Sequence, residues 1–299
     1  FIEDVMRFLD NIMSDFINKA PDSFKNAKYS AMRERSVGLG VMGLHSYFQK
    51  KKIPFGSVMS KVWNKKVFKD IQTKVDAASV ALAEERGACP DAEEYGIKER
   101  FSNKTAIAPT ASISIICGGT SPGIEPISGN SYTHKTLSGS YNVRNKYLTK
   151  VLENYGKNDD ETWSSITTNQ GSVSHLDFLT IEEKETFKTA FEIDQRWIVE
   201  LGADRTPHIS QAQSVNVFIP ADIHKRDLHN IHFQAWKKGL KSLYYCRSKS
   251  IQRAENVNDA KLTDVTANVY KSNDTKQNDE LTRSDSSMSR ESEELASDS

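Results

Sequence analysis

The segment that most constrains the fold is a strand-like stretch that ends in a loop of small residues. Residues 104–108 (Lys-Thr-Ala-Ile-Ala) are typical of a β-strand, and Pro109 begins a turn. Small or hydroxyl-bearing residues follow it: Thr110, Ala111, Ser112 and Ser114. A tight loop after a strand can direct several backbone N–H groups at one point, and hydroxyls add further donors for phosphate oxygens. We expect a phosphate-bearing ligand here, with a plain turn as the alternative.

Helical and strand patterns alternate along the chain. Apolar residues at spacings of three and four predict helices at 2–17, 61–86, 180–202 and 222–238, and the shorter extended patterns predict strands at 104–108, 214–220 and 240–246. Thr180 and Glu183 form a capping-box pattern, and Gly87 and Gly239 stand where helices should end. This alternation predicts an α/β fold with parallel strands, whose functional groups gather at the carboxyl ends of the strands.

Composition limits the classes of protein that the chain can belong to. Its 299 residues carry a formal net charge of zero, which gives no indication of nucleic-acid or anionic-membrane binding. No apolar run approaches the roughly 18–20 residues that span a bilayer. Acidic residues interrupt the first positions, unlike a signal peptide, and Phe1 is not a methionine. A fragment, a processed piece and one half of a split protein are therefore all open.

The last 49 residues differ in composition from the rest of the chain. Residues 1–250 are expected to fold, whereas residues 251–299 are rich in Ser, Asp, Asn, Glu and Lys and are predicted to be a disordered polar and acidic tail.

No metal site is predicted. Cys89, Cys117 and Cys246 are far apart and form no Cys-x-x-Cys motif, which favours a reducing compartment and no structural zinc. His224, His229 and His232 lie on one predicted helix at spacings of five and three instead of four, so we interpret them as a solvated face.

Two further motifs have ordinary interpretations when taken alone. Residues 38–43 match G-x-G-x-x-G, but Arg33-Glu-Arg-Ser precedes them and residues 53–63 contain no acidic residue, so packing glycines are favoured over a dinucleotide site.

Tyr244 and Tyr245 in a closing strand would ordinarily point to opposite faces, with Cys246 as a buried, inert thiol.

Four segments taken together are more specific. Residues 35–44, 108–112 (Ala-Pro-Thr-Ala-Ser), 123–126 (Gly-Ile-Glu-Pro) and 239–245 (Gly-Leu-Lys-Ser-Leu-Tyr-Tyr), in this order, resemble the large, catalytic subunit of ribonucleotide reductase. The similarity is to the class I type, including bacteriophage versions, and covers the C-terminal portion of that subunit. It implies the C-terminal half of a ten-stranded α/β barrel, that is, a parallel five-stranded half-barrel.

The resemblance also implies site residues. The diphosphate of the substrate would bind Pro109, Thr110, Ala111, Ser112 and Ile113. Tyr245 would accept the oxidising equivalent first, and Tyr244 would pass it inward to a cysteine.

The activity implied is the reduction of ribonucleoside diphosphates to 2′-deoxyribonucleoside diphosphates for DNA replication, in an ATP-binding enzyme. The implied partners are the N-terminal part of the large subunit, a small subunit that carries a diiron-tyrosyl radical, and thioredoxin or glutaredoxin. No cofactor is expected in this chain, and the expected location is the cytoplasm, or the host cytoplasm if a phage encodes it.

The chain departs from the family pattern in its cysteines. It contains no Asn-x-Cys-x-Glu sequence, where the family has its radical cysteine, and no cysteine pair near its end. We therefore expect the isolated chain to be inactive. A non-catalytic remnant that acts as an interaction module, and a stand-alone phosphate-binding α/β protein, remain alternatives.

Overall fold

The computed structural model describes residues 1–136 and 139–248. The predicted tail at 251–299 lies outside the described residues. Eleven α-helices lie within the described part: α1 Ile2–Lys19, α2 Lys25–Glu34, α3 Leu44–Lys50, α4 Val58–Arg86, α5 Pro90–Glu94, α6 Ile113–Ile116, α7 Lys146–Asn154, α8 Asp160–Thr168, α9 Ile181–Thr186, α10 Gln195–Arg205 and α11 Lys225–Lys237. The strands there are β1 Ser131–Thr136, β2 Gly139–Arg144, β3 Val217–Ile219 and β4 Cys246–Ser248.

The two predicted N-terminal helices are confirmed by α1 and α4. Helix α1 ends just before Pro21, as expected from a residue that cannot continue the hydrogen-bond ladder. The hydroxyl of Ser57, just before α4, accepts a hydrogen bond from the N–H of Ser60, and Gly87, just after the helix, has a φ of 88°.

The single helix predicted at 180–202 is wrong. The capping box of Thr180 and Glu183 is present, but α9 ends at Thr186 and α10 begins only at Gln195. Between them, the carboxylate of Glu192 accepts hydrogen bonds from the N–H and the hydroxyl of Thr189, both at 2.8 Å. The carboxylate of Asp194 then accepts from the N–H of Arg196 and starts a new helix. These local polar contacts break a helix that the apolar spacing alone predicts.

Four extended segments lie side by side in parallel. The N–H of Leu39 donates to the carbonyl of Lys104, and the N–H of Ile107 donates to the carbonyl of Ala212. The last three residues of the segment at 211–219 form β3, which pairs in parallel with β4. The bridges Leu39↔Thr105 and Ile107↔Gln213 are also parallel. This parallel set, surrounded by helices, is consistent with a fragment of an α/β barrel.

The closing strand lies later than the predicted 240–246. Gly239 has a φ of 77°, and the N–H of Leu240 still donates to Ala235 at the end of α11. Parallel pairing therefore starts at Tyr244, whose N–H donates to Val215, and β4 itself covers Cys246–Ser248. The antiparallel hairpin of β1 and β2 was not predicted, and it forms one wall of the cavity described below.

A buried apolar cluster lies beneath these segments. It includes Leu44 and Phe48 of α3, Phe68 of α4, Ile107 of the extended segment and Phe218 of β3. Burial of such side chains fixes the parallel set against its helices. Among the described residues, no helix has the length and apolar character needed to cross a membrane.

Candidate active site

A cavity of about 410 Å³ opens where residues 104–108 run into the Pro109 loop. Its walls include Pro109 and Ala111 of the loop, Glu125 of the second turn-rich stretch, Asn145 before α7 and Arg247 of β4. The extended segment and β4 are parallel, so their carboxyl ends meet at this edge. A ligand site at the carboxyl ends of parallel strands was the expectation from sequence.

The two turn-rich stretches are joined by hydrogen bonds. Thr110 has a φ of 52°, and its hydroxyl accepts a hydrogen bond of 2.7 Å from the N–H of Gly123. The carbonyl of Thr110 accepts a second bond, of 3.0 Å, from the N–H of Ser114. A non-glycine residue with positive φ is uncommon, so these two contacts help to hold Thr110 in a conformation that it would not favour alone.

The five residues predicted to bind a diphosphate do not all face the cavity. Pro109 and Ala111 line it, Thr110 joins the loop to Gly123, and Ser112 and Ile113 are exposed at the start of α6. Within the described part of the chain, the N–H groups of Ala111, Ser112 and Ile113 have no hydrogen-bond acceptor. Successive N–H groups without an internal acceptor are able to bind an anion.

The side chains of Tyr244 and Tyr245 lie against each other. Their ring centroids are 4.0 Å apart at an interplanar angle of 49°, and the two hydroxyl oxygens are 3.3 Å apart. The hydrogen bond with Tyr245 raises the pKa of Tyr244. The expectation of opposite faces is wrong, because both residues precede the regular strand and so do not follow its alternation. Both are about half exposed, and Cys246, predicted to be buried, is exposed.

Glu125 and Asn216 are site residues that the sequence did not single out. The side-chain amide of Asn216 donates to a carboxylate oxygen of Glu125, and its carbonyl oxygen accepts a hydrogen bond of 2.8 Å from the N–H of Tyr245. Burial raises the pKa of Glu125 to about 7, against the lowering effects of the Arg247 charge and the Asn216 hydrogen bond. Glu125 lies in the Gly-Ile-Glu-Pro motif, whereas nothing in the local sequence marks Asn216.

A buried polar network supports the opposite wall. The side-chain amide of Asn145 donates to Gln49 at 3.0 Å and to Asn130 at 2.8 Å. His45 accepts from the N–H of Ile127 at 2.9 Å, and burial lowers the pKa of His45 to about 3. This histidine is therefore neutral near pH 7 and holds the backbone beside the cavity.

The glycines at 38–43 serve close packing, as predicted. A Cβ atom at Gly40 would overlap the carbonyl oxygen of Ala106, and one at Gly43 would overlap the hydroxyl of Thr120. Gly43 also has a φ of 83°. These glycines bring residues 38–43 against both the segment that precedes Pro109 and the segment that follows it.

His224, just before α11, and the two histidines within the helix do not form a metal site with each other. His224 caps the helix by accepting from the N–H of Arg226, and His232 bonds the carbonyl of Leu228. Among the described residues there is no group of three or more His, Cys, Asp or Glu that could hold a metal ion.

Comparison with known proteins agrees with the motif order. The family model of the ribonucleotide reductase barrel domain matches residues 1–99 and 90–246. The chain is 46% identical over 261 residues to the ribonucleoside-diphosphate reductase large subunit of Invertebrate iridescent virus 6, covering 86% of this chain and 27% of that protein. It is 42% identical to the corresponding subunit of Invertebrate iridescent virus 3, covering 88% of this chain and 42% of that protein.

A solved structure is also similar. The alpha subunit of the class Id ribonucleotide reductase of Actinobacillus ureae superposes with a TM-score of 0.77 at 38% identity, covering 85% of this chain and 47% of that subunit. The chain therefore spans less than half the length of these relatives. The resemblance to the large subunit is confirmed. The chain belongs to the ribonucleotide reductase large-subunit family and matches its barrel domain.

Proposed function

We propose that this chain supplies the substrate-diphosphate loop and the last steps of radical transfer in a ribonucleoside-diphosphate reductase. The observation that carries the proposal is the pair of contacting tyrosines, Tyr244 and Tyr245, which directly precede β4, the strand whose Arg247 lines the cavity of the Pro109 loop. Relatives at 46% and 42% identity bear the name of the large subunit of that enzyme, which supports the reaction class.

The diphosphate is proposed to bind Pro109, Thr110, Ala111, Ser112 and Ile113. The free N–H groups of residues 111–113 are the donors, and phosphate oxygens are the acceptors. Arg144, Lys146 and Arg247 line the same cavity and supply positive charge near it. The free N–H groups and the basic side chains both favour the binding of a negatively charged phosphate group.

The diphosphate site is tested by adding a negative charge to the loop. We expect Ser112→Asp to weaken the binding of cytidine diphosphate to the full chain by at least about tenfold, because the carboxylate repels phosphate. Isothermal titration calorimetry measures the affinity. Ser102→Asp is the matched control, since Ser102 is an exposed serine outside the loop. Equal affinity in both variants would exclude the loop as the site.

The radical is proposed to reach Tyr245 first and Tyr244 second. Tyr245 loses one electron and its hydroxyl proton to the small subunit's radical and is then reduced by Tyr244. The hydroxyl proton of Tyr244 crosses the 3.3 Å contact to the oxygen of Tyr245, and one electron passes between the rings. Tyr244 is reduced in turn by a cysteine thiol of the N-terminal part of the subunit.

Removal of either hydroxyl tests this relay. In the complex with the N-terminal part and the small subunit, we expect Tyr244→Phe and Tyr245→Phe to abolish turnover, since phenylalanine cannot form a phenoxyl radical. Binding of cytidine diphosphate should stay within about twofold of the unmodified chain. Tyr29→Phe, at an exposed tyrosine of α2, is the control and should keep full turnover. Turnover in either pair variant would contradict the relay.

The partners follow from this division of roles. The N-terminal part of the large subunit supplies the radical cysteine, because this chain has no Asn-x-Cys-x-Glu sequence. The small subunit carries the diiron-tyrosyl radical, thioredoxin or glutaredoxin supplies electrons, and the complex acts in the cytoplasm. The isolated chain should therefore show no turnover with the small subunit and dithiothreitol.

The fold is proposed to be the five-stranded half of the family's barrel. The parallel order of residues 37–40, 103–107, 211–219 and 244–248 supports it. The N–H groups of Gly38 and Gly40 have no acceptor among the described residues, which leaves one edge of the parallel set open. An open edge favours pairing with another strand, and the N-terminal part of the subunit is the proposed partner.

A further inference from the structure

A continuous set of hydrogen bonds joins the Pro109 loop to the tyrosine pair. It begins at the hydroxyl of Thr110, which accepts from the N–H of Gly123 at 2.7 Å. Two residues later, the carboxylate of Glu125 accepts from the side-chain amide of Asn216. The same amide group of Asn216 accepts from the N–H of Tyr245 at 2.8 Å. The connection thus consists of three hydrogen bonds and the backbone from Gly123 to Glu125.

Asn216 can satisfy both neighbours in one orientation only. Its nitrogen donates and its oxygen accepts. Rotation of the amide by half a turn would place its oxygen against the oxygen of Glu125 and its NH2 group against the N–H of Tyr245. Asn216 and Glu125 are both buried, at 1% and 6% exposure, and water is therefore a poor substitute for either bond. If Glu125 moves, Asn216 must consequently move with it or hold it back through their hydrogen bond.

Arg247 adds a charge to the same connection. Its positive charge acts on the Glu125 carboxyl, and its guanidinium carbon lies 6.0 Å from the centroid of the Tyr245 ring. Arg247 and Glu125 both line the cavity in which the substrate is proposed to bind. A bound diphosphate would thus act on Glu125 through Arg247 as well as through the loop.

We propose that Glu125 and Asn216 are positioning residues that couple occupancy of the Pro109 loop to the placement of Tyr245. This inference rests on the proposed function, because it takes the loop as the diphosphate site and the tyrosines as the relay. Neither residue needs to touch the substrate. Their role is to hold the backbone of Tyr245 in a position that depends on whether the loop is filled.

Hydrogen exchange of the Tyr245 amide measures this coupling directly, since that N–H is the donor to Asn216. In the unmodified full chain, saturating cytidine diphosphate should slow exchange of this amide by at least about threefold. Calorimetry on the same samples establishes that the loop is occupied. A merely structural Asn216 would protect the amide equally with and without the diphosphate.

Three variants separate the two bonds. Glu125→Gln keeps an oxygen acceptor for Asn216 and should keep the response to the diphosphate. Glu125→Ala removes the acceptor and should abolish the response. Asn216→Asp keeps an acceptor for Tyr245 but removes the amide donor to Glu125, so the amide should stay protected and stop responding. Asn169→Asp makes the same change at an exposed position and should behave as the unmodified chain.

Activity provides a second readout in the complex with the N-terminal part and the small subunit. Glu125→Ala and Asn216→Asp should lower kcat by about tenfold or more with KM changed less than about threefold, the pattern of lost positioning instead of lost binding. Glu125→Gln should restore kcat to within about threefold.

The outcomes are distinguishable. If the diphosphate does not bind the full chain, the proposed function and this inference fail together. If it binds, and Ser112→Asp weakens it, but the Tyr245 amide exchanges at one rate in both states, only the coupling is overturned. An unchanged response in Glu125→Ala and Asn216→Asp would overturn it as well.

Discussion

At the scale of single residues, the Glu125 carboxyl is the group whose protonation most affects the site. It is buried beside the cavity, has Asn216 as its hydrogen-bond donor, and has a pKa of about 7 against an ordinary value of 4.5. A carboxyl with this pKa is partly protonated near neutral pH. Its proton is held more tightly in the folded chain than in the unfolded chain, so folding stability depends on pH through this one group.

Glu125→Gln should remove that dependence. Between pH 4.5 and 7 the folded chain keeps a proton that the unfolded chain has lost, so this group's stabilising contribution is complete below pH 4.5 and disappears as pH rises to about 7. As pH rises across this window, the unfolding free energy of the unmodified chain should therefore fall relative to that of the variant. Urea unfolding at several pH values measures it; a constant difference would contradict the raised pKa.

At the scale of elements, a buried carboxylate adds to the apolar packing that holds α1 against α4. Asp10 is fully buried and accepts hydrogen bonds from Arg35, Arg86 and Arg100, the first just before residues 37–40 and the others at and beyond the end of α4. Burial alone would raise the pKa of Asp10, but the bonds from Arg100, Arg35 and Arg86 lower it below its usual value. The carboxylate therefore keeps its charge at a lower pH than an unperturbed aspartate would.

Asp10→Ala should lower the unfolding free energy by about 3–5 kcal/mol, because it leaves the buried guanidinium groups of Arg35 and Arg100 without their carboxylate. Asp15→Ala is the control on the same helix: its pair with Lys19 is exposed, and its loss should cost less than about 1 kcal/mol. Denaturant titration of both variants gives the comparison. Equal losses would show that the carboxylate is not what holds α1.

The same scale shows how far sequence can predict this fold. Apolar periodicity located α1, α4 and α11, because each buries one face, and the strand pattern located the segment before Pro109. Periodicity missed the break between α9 and α10, since Thr189 and Glu192 act through local polar contacts. The order of motifs singled out the loop and the tyrosine pair as candidate site residues.

The bond between Glu125 and Asn216 could not be predicted in the same way. It joins residues 91 positions apart and depends on the parallel packing of segments that meet only in the fold. Local sequence carries no signal for such a contact.

At the scale of the whole molecule, the parallel set has an edge that is open among the described residues. The N–H groups of Leu39 and Val37 point to the segment at 103–107, so those of Gly38 and Gly40 point away from it. Exposed N–H groups along a strand edge exchange their hydrogens with water quickly. Such an edge can also pair with a further strand. The relatives are more than twice as long as the part matched here, which leaves ample chain to cover this edge.

Addition of the N-terminal part of the subunit should therefore slow exchange at Gly38 and Gly40 by at least about tenfold. The amide of Leu39, already bonded to Lys104, should change much less and serves as the internal control. Hydrogen exchange with and without the N-terminal part provides the measurement. Unchanged rates at both glycines in a stable complex would place the interface elsewhere.

The close approach of Gly40 to Ala106 and of Gly43 to Thr120 has a consequence for protein engineering. The Pro109 loop cannot be transferred to another protein as a single segment. A designer who transplants residues 104–126 into another scaffold moves the donors but leaves behind the two glycines against which both flanks rest. Transfer of the loop's conformation requires a host backbone that passes equally close at both points, so the smallest graft is two separate segments, 38–43 and 104–126.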